Sequence, residues 1–88
     1  MVPKAQSASV KVLFFGRLKE IVGVSEDSIE LSEGELIESL FSTYVARYPQ
    51  LTEYRSSLVA CRNQEFVPWN TALSSGDEVA FLPPVSGG

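Results

Sequence analysis

Apolar and polar positions along this 88-residue chain form short alternating runs on either side of one longer helical stripe. From Ser9 to Phe15, Val10, Val12 and Phe14 fall on one face and Ser9, Lys11, Leu13 and Phe15 on the other, the period of two that predicts a strand. Lys11 marks its face as the wet one, which leaves Leu13 and Phe15 as apolar residues on an outer surface. Gly16 breaks the strand. Leu18, Ile21 and Val22 then stand at i, i+3 and i+4, predicting a short helix from Arg17 to Val22 closed by Gly23. After a polar turn at Ser25–Asp27, Ser28–Leu31 alternates again with Ile29 and Leu31 inward, a second strand.

Ser32 and Glu35 have the spacing of a capping box, in which each side chain satisfies an exposed backbone N–H at a helix start. The apolar set that follows, Leu36, Ile37, Leu40, Phe41, Tyr44, Val45 and Tyr48, keeps to one helical stripe until Pro49 ends it. This predicts the principal helix, plugging the concave face of a sheet. Leu51–Tyr54 suits a helical turn. Leu58–Arg62 reads as a strand, and because Arg62 belongs in water its alternation places Cys61 and Val59 inside. Asn63-Gln64 suits a turn, and Glu65–Val67 a short strand that Pro68 stops. Trp69–Leu73 crosses to a turn at Ser74–Gly76, and the last strand, Asp77–Leu82, turns Val79 and Phe81 inward and Leu82 outward. Trp69 and Tyr54 read as local packing residues. The predicted class is α+β, one sheet on one principal helix, with a loose lead over 1–8, a single domain over 9–82 and a tail over 83–88.

That tail, Pro83-Pro84-Val85-Ser86-Gly87-Gly88, leaves the last strand at two prolines, which have no N–H to donate to a ladder and hold φ near the polyproline value. Extended at about 3.1 Å per residue, six residues reach roughly 19 Å beyond the body. The last two residues have no Cβ, so the carboxylate of Gly88 can pass a narrow channel into another protein's active site. A frayed end is the plain reading of a Gly-Gly terminus. The adjacent prolines favour a tail made to be threaded, since an already extended segment loses less entropy on insertion.

Composition narrows the chemistry. One domain is all that this length supports, and 44% hydrophobic with 20% charged residues is a globular balance. A net charge of −4 disfavours nucleic acid as a partner, no apolar run approaches a membrane span, and the start lacks a signal-peptide core, so the expected location is the cytosol. There is no histidine, and Cys61 is the only cysteine. The usual general base, the usual zinc ligand and any internal disulfide are therefore missing, and no metal site is expected. The chain's own side chains are poorly equipped for catalysis.

The segment Ser75-Gly76-Asp77-Glu78-Val79-Ala80-Phe81-Leu82 running into the Pro-Pro-Val-Ser-Gly-Gly end resembles the sulfur-carrier (small) subunits of molybdopterin synthase. The resemblance extends to Val10–Gly16 and Leu18–Gly23, and more weakly to Asn63-Gln64; the long helix matches in position rather than identity. It implies a ubiquitin-like β-grasp fold, with parallel pairing of the first and last strands. It also implies that Gly88 is the site of chemistry. An enzyme resembling the ubiquitin-activating type, acting as adenylyltransferase and sulfurtransferase, would adenylate its carboxylate with ATP and magnesium, and sulfur transfer would give a thiocarboxylate. Pro83, Pro84, Val85, Ser86 and Gly87 would carry that group into the synthase large subunit. There, in a hetero-oligomer resembling the family's heterotetramer, it would donate sulfur to a cyclic pyranopterin phosphate. Phe15, Phe66 and Leu82 resemble the family's hydrophobic docking patch. Nothing is expected to be bound stably, ATP serving only transiently at the activating enzyme.

Three other readings share part of this pattern. A ubiquitin-like modifier would join the terminal glycine to a lysine of a target. A thiamine-pathway sulfur carrier has related tail chemistry, usually on a shorter chain. A plain interaction domain would have an inert tail. A persulfide relay through Cys61 would need an accessible thiol, which the predicted burial opposes.

Overall fold

A computed structural model describes residues 7–83. In chain order the elements are β1 (Ser7–Phe14), α1 (Gly16–Val22), β2 (Glu26–Ser32), α2 (Ile37–Arg47), a 3₁₀ segment (Pro49–Ser57), β3 (Val59–Arg62), β4 (Glu65–Val67) and β5 (Glu78–Leu82). The strands form one sheet in the order β2-β1-β5-β3-β4. β1 and β5 run parallel and the other neighbours antiparallel. Apart from the tail residues Pro84–Gly88 and the lead residues Met1–Gln6, which lie outside the described residues, the expected architecture is present. The strand β1 begins earlier than expected, however. Ser7 and Ala8 belong to it, and Ala8 is fully buried against the core rather than part of a loose lead.

Alternation explains the core. The inner side chains of β1, Val10, Val12 and Phe14, lie beside Val79 and Phe81 of β5, and α2 covers them with Ile37, Leu40, Phe41 and Tyr44. Five aromatic rings pack there. Phe41 meets Phe81 edge-on at 5.0 Å between centroids, Phe14 meets Tyr44 at 5.1 Å, and Trp69 stacks on Phe81 at 5.3 Å. Arg55, from the 3₁₀ segment, lies 3.5 Å over the Trp69 ring and donates to both carboxylate oxygens of Glu38. That contact holds the Glu38 carboxyl below its ordinary range and ties three loops and helices together.

Three local expectations are corrected. The capping box between Ser32 and Glu35 does not form: Ser32 ends β2, and the helix starts at Ile37 without a side-chain cap. Its first N–H groups are met by backbone instead, Ile37 donating to the Thr71 carbonyl at 3.0 Å and Glu38 to that of Trp69 at 2.9 Å. β2 starts at Glu26, because Asp27 is strand rather than turn. Its inward carboxylate accepts the Tyr44 hydroxyl at 2.7 Å, and burial with this carboxylate nearby pushes the Tyr44 phenol well above its usual range.

The third correction concerns β3. Ala60 stands beside Phe81 and Val67, and Cys61 beside Ala80 and Phe66, so Ala60 faces the core and Cys61 the opposite surface. Arg62 was a misleading marker of the wet face. It shares the inner parity with Val79 but sits at the end of the strand, from which its guanidinium reaches out to donate to the Ala72 carbonyl.

Candidate functional site

The register that buries Phe14, Phe81 and Ala60 lines up a second row on the other face: Leu13 of β1, Ala80 of β5, Cys61 of β3 and Phe66 of β4. With Phe15 and Leu82 these residues line a shallow concavity of about 310 Å³, rimmed by Gln64 and Glu78. No helix covers it. Phe66 is 73% exposed and Phe15 45%, and Leu82 is half-buried. All three residues expected to dock a partner thus border one hollow. The burial of Cys61 is as expected, but its neighbours are those of the outer face. Burial pushes its thiol up from the ordinary value, so it stays protonated and poorly nucleophilic at neutral pH.

A smaller hollow of about 180 Å³ adjoins the first at Phe15. Leu18, Tyr54, Leu58 and Pro83 line it, so the exposed Pro83 begins the tail at the border of the apolar surface. Phe15 holds this place as the residue before α1, in extended geometry, with its carbonyl accepting from Leu18. The hairpin that presents Phe66 turns at Asn63 and Gln64, both with positive φ, 51° and 71°. Asn63 locks this hairpin to the start of β5. Its amide donates to Asp77 and its side-chain oxygen accepts the Glu78 N–H, while Asp77 also accepts the Ser74 N–H. Gly76, at φ 92°, completes that turn and donates to Ser9. The Gly76-Asp77 motif therefore aligns β5 at the end opposite the tail.

Cys61 is the lining residue that the sequence put on the wrong face, whereas Ala80 fell on the outer face with Leu82 as the alternation of the last strand implied. Pairing register was the missing signal, because alternation within β3 alone left its two faces to be decided by Arg62. Among the described residues no cluster of three histidine, cysteine or acidic side chains could hold a metal, and no helix is long and apolar enough to cross a membrane.

A five-stranded mixed sheet wrapped around one principal helix, with an apolar outer face that continues to Pro83, is the ubiquitin-like β-grasp architecture. The chain belongs to the ThiS family, whose model matches residues 12–88. It is 42% identical over 81 residues to a molybdopterin synthase sulfur carrier subunit from Chlamydomonas reinhardtii, covering 90% of this chain and 98% of that one. A putative molybdopterin converting factor subunit 1 from Pyrococcus furiosus superposes with a TM-score of 0.80 at 30% identity, over 89% of this chain and 99% of that one. SAMP1 from Haloferax volcanii gives 0.76 at 27%, over 92% and 100%. A chain of the complex of subunits 1 and 2 of molybdopterin-converting factor from Helicobacter pylori gives 0.60 at 27%, over 91% and 99%.

Proposed function

We propose that this chain is the sulfur carrier of molybdopterin synthesis, with Gly88 as its acyl group. The observation that carries the reading is the convergence of Phe15, Phe66 and Leu82 on one apolar hollow, which Phe15 joins to a second that Pro83 lines. Such a surface can seat a partner while the residues beyond Pro83 enter that partner's active site. The likeness to curated sulfur carriers over nearly the whole chain, and to a chain of a two-subunit converting factor, supports a large synthase subunit as one partner.

The chemistry then follows from the poor reactivity of a carboxylate, whose leaving group would be oxide. At an activating adenylyltransferase the Gly88 carboxylate attacks the α-phosphorus of magnesium-bound ATP and displaces pyrophosphate. Hydrosulfide from the sulfur donor then displaces AMP from the acyl-adenylate and, on losing its proton, leaves a thiocarboxylate. In the large subunit the thiocarboxylate sulfur passes to the cyclic pyranopterin phosphate, with water returning the carboxylate. The catalytic side chains belong to the two partners, in keeping with a carrier that has no histidine and a buried, protonated thiol. A cytosolic location goes with this reading, since activation consumes ATP.

The likeness to SAMP1, a small archaeal modifier protein by the description of a second structure of it, favours one other reading, attachment of the terminal glycine to target lysines. Intact mass measurement separates the two. The full chain incubated with the activating enzyme, ATP, magnesium and a sulfur donor is expected to gain the mass of sulfur replacing oxygen, and the chain lacking Gly88 to gain nothing and to support no molybdopterin formation. Lysine adducts without molybdopterin formation, or full formation by the shortened chain, would overturn the carrier assignment.

A further inference from the structure

The two edges of the sheet differ. β4 is three residues long and ends at Pro68, which blunts it, whereas β2 runs for seven residues from Glu26 to Ser32 with β1 on one side only. The Phe14 N–H donates to the Ser25 carbonyl at 2.9 Å, and this fixes the phase of the ladder. Asp27, Ile29 and Leu31 turn their N–H and C=O groups toward β1, and Ser28 and Glu30 turn theirs outward from the sheet. The inner side chains of this strand are also incompletely covered. Ile29 and Leu31 are half-buried where their β1 neighbours Val10 and Ala8 are fully buried, so the apolar layer continues past the last strand.

Charge identifies what fits there. From Glu20 to Ala46 the chain carries seven acidic residues and no lysine or arginine. Glu26 and Glu30 stand exposed on the outer face of β2; Glu26 pairs at 3.8 Å with Lys11 of the next strand, and Glu30 is in no ion pair among the described residues. A second copy of the chain is a poor occupant. Antiparallel pairing of β2 with itself about Ser28 would set each Glu30 against its partner's Glu26. The same carboxylates that guard the edge against self-association select a basic strand.

We propose that β2 is an acceptor edge for an extended segment of a partner protein in which apolar residues alternate with lysine or arginine. The apolar positions would cover Ile29 and Leu31, and the basic positions would stand opposite Glu30 and Glu26. This surface is separate from the hollow that Phe15 and Phe66 border, so its occupant could bind while the tail is engaged, and the proposal does not rest on the carrier chemistry.

The test uses the full chain and two acetylated, amidated heptapeptides, one alternating valine with lysine and one alternating valine with glutamate. Amide NMR titration is expected to show the lysine peptide shifting Glu26–Ser32 and slowing hydrogen exchange at Ser28 and Glu30, with the glutamate peptide inert. Ser28→Pro removes an outward N–H that edge strands can spare, and should abolish these changes with the rest of the spectrum intact. Glu30→Lys should weaken the lysine peptide roughly tenfold, two unfavourable cross-strand contacts replacing favourable ones. Shifts centred on Leu13 and Phe66 instead, unchanged binding by Ser28→Pro, or equal binding of the two peptides would overturn the proposal. So would a dimer of the chain that Ser28→Pro dissolves, since that would make a second copy the occupant.

Discussion

The two faces of the sheet carry neighbouring rows of similar composition and meet different fates. Phe14, Phe81 and Ala60 point one way and Leu13, Ala80, Cys61 and Phe66 the other, from the same strands and in the same register. The first row is roofed by α2 and its aromatic residues; the second is left as a hollow with Phe66 73% exposed. Burial on the inner face supplies the free energy of folding. The outer face keeps its apolar surface out of that account, and so has it available for association.

The sharpest way to break this contrast is to truncate one ring on each side. Phe81→Ala removes a fully buried ring that packs on Phe41 and Trp69, and is expected to cost about 3–5 kcal/mol of stability, measured by urea unfolding. A domain of this size has roughly 5–15 kcal/mol in all, so that one change removes a large share of its stability. A loss under about 1 kcal/mol would mean that the aromatic cluster is not the centre of the core.

Much of this inner face was legible because period-two alternation and the helical stripe from Ile37 to Tyr48 point to the same interior, Leu36 alone of the expected stripe standing exposed before the helix. What remained hidden had polar causes that lie far apart in sequence. Asp27 enters the layer beneath the sheet because Tyr44, seventeen positions on, supplies a hydroxyl for it. Arg62 reversed the reading of β3 because the end of a strand lets an inner side chain escape to the Ala72 carbonyl. The helix start was misassigned to Ser32 and Glu35 because the carbonyls that satisfy it come from Trp69 and Thr71. The outer hollow was half legible. Phe15, Leu82 and the smaller Ala80 fell on the outer face by alternation, Phe66 entered by resemblance alone, and Cys61 only once the strands were paired.

On the outer side, Phe66→Ala is expected to leave unfolding within about 0.5 kcal/mol of the parent, since the ring gives up little burial. Binding to the large subunit, measured by calorimetry, should weaken by about 2 kcal/mol, the scale of an aromatic anchor in an interface. Phe15→Ala should follow the same division with a somewhat larger stability cost, because that ring is less exposed and borders the hollow at Pro83 as well. Equal losses of stability and binding would erase the distinction between the faces.

The smallest effect is the most discriminating, because it separates the faces in opposite directions. Gln64 sits at φ 71°, a left-handed conformation that strains a side chain with a Cβ, and its turn follows Asn63 where glycine is the favoured second residue. Relief of that strain is worth about 1 kcal/mol, and the freer unfolded chain that glycine brings takes back roughly half of it. Gln64→Gly is therefore expected to stabilise the domain by about 0.5 kcal/mol in chemical unfolding. Yet Gln64 also rims the hollow beside Phe66, so the same substitution should weaken binding to the large subunit. A gain in stability with a loss in affinity would mean that the strain is kept for the rim it builds. A gain in both would make Gln64 a passive turn residue and confine the docking surface to Phe15, Phe66 and Leu82.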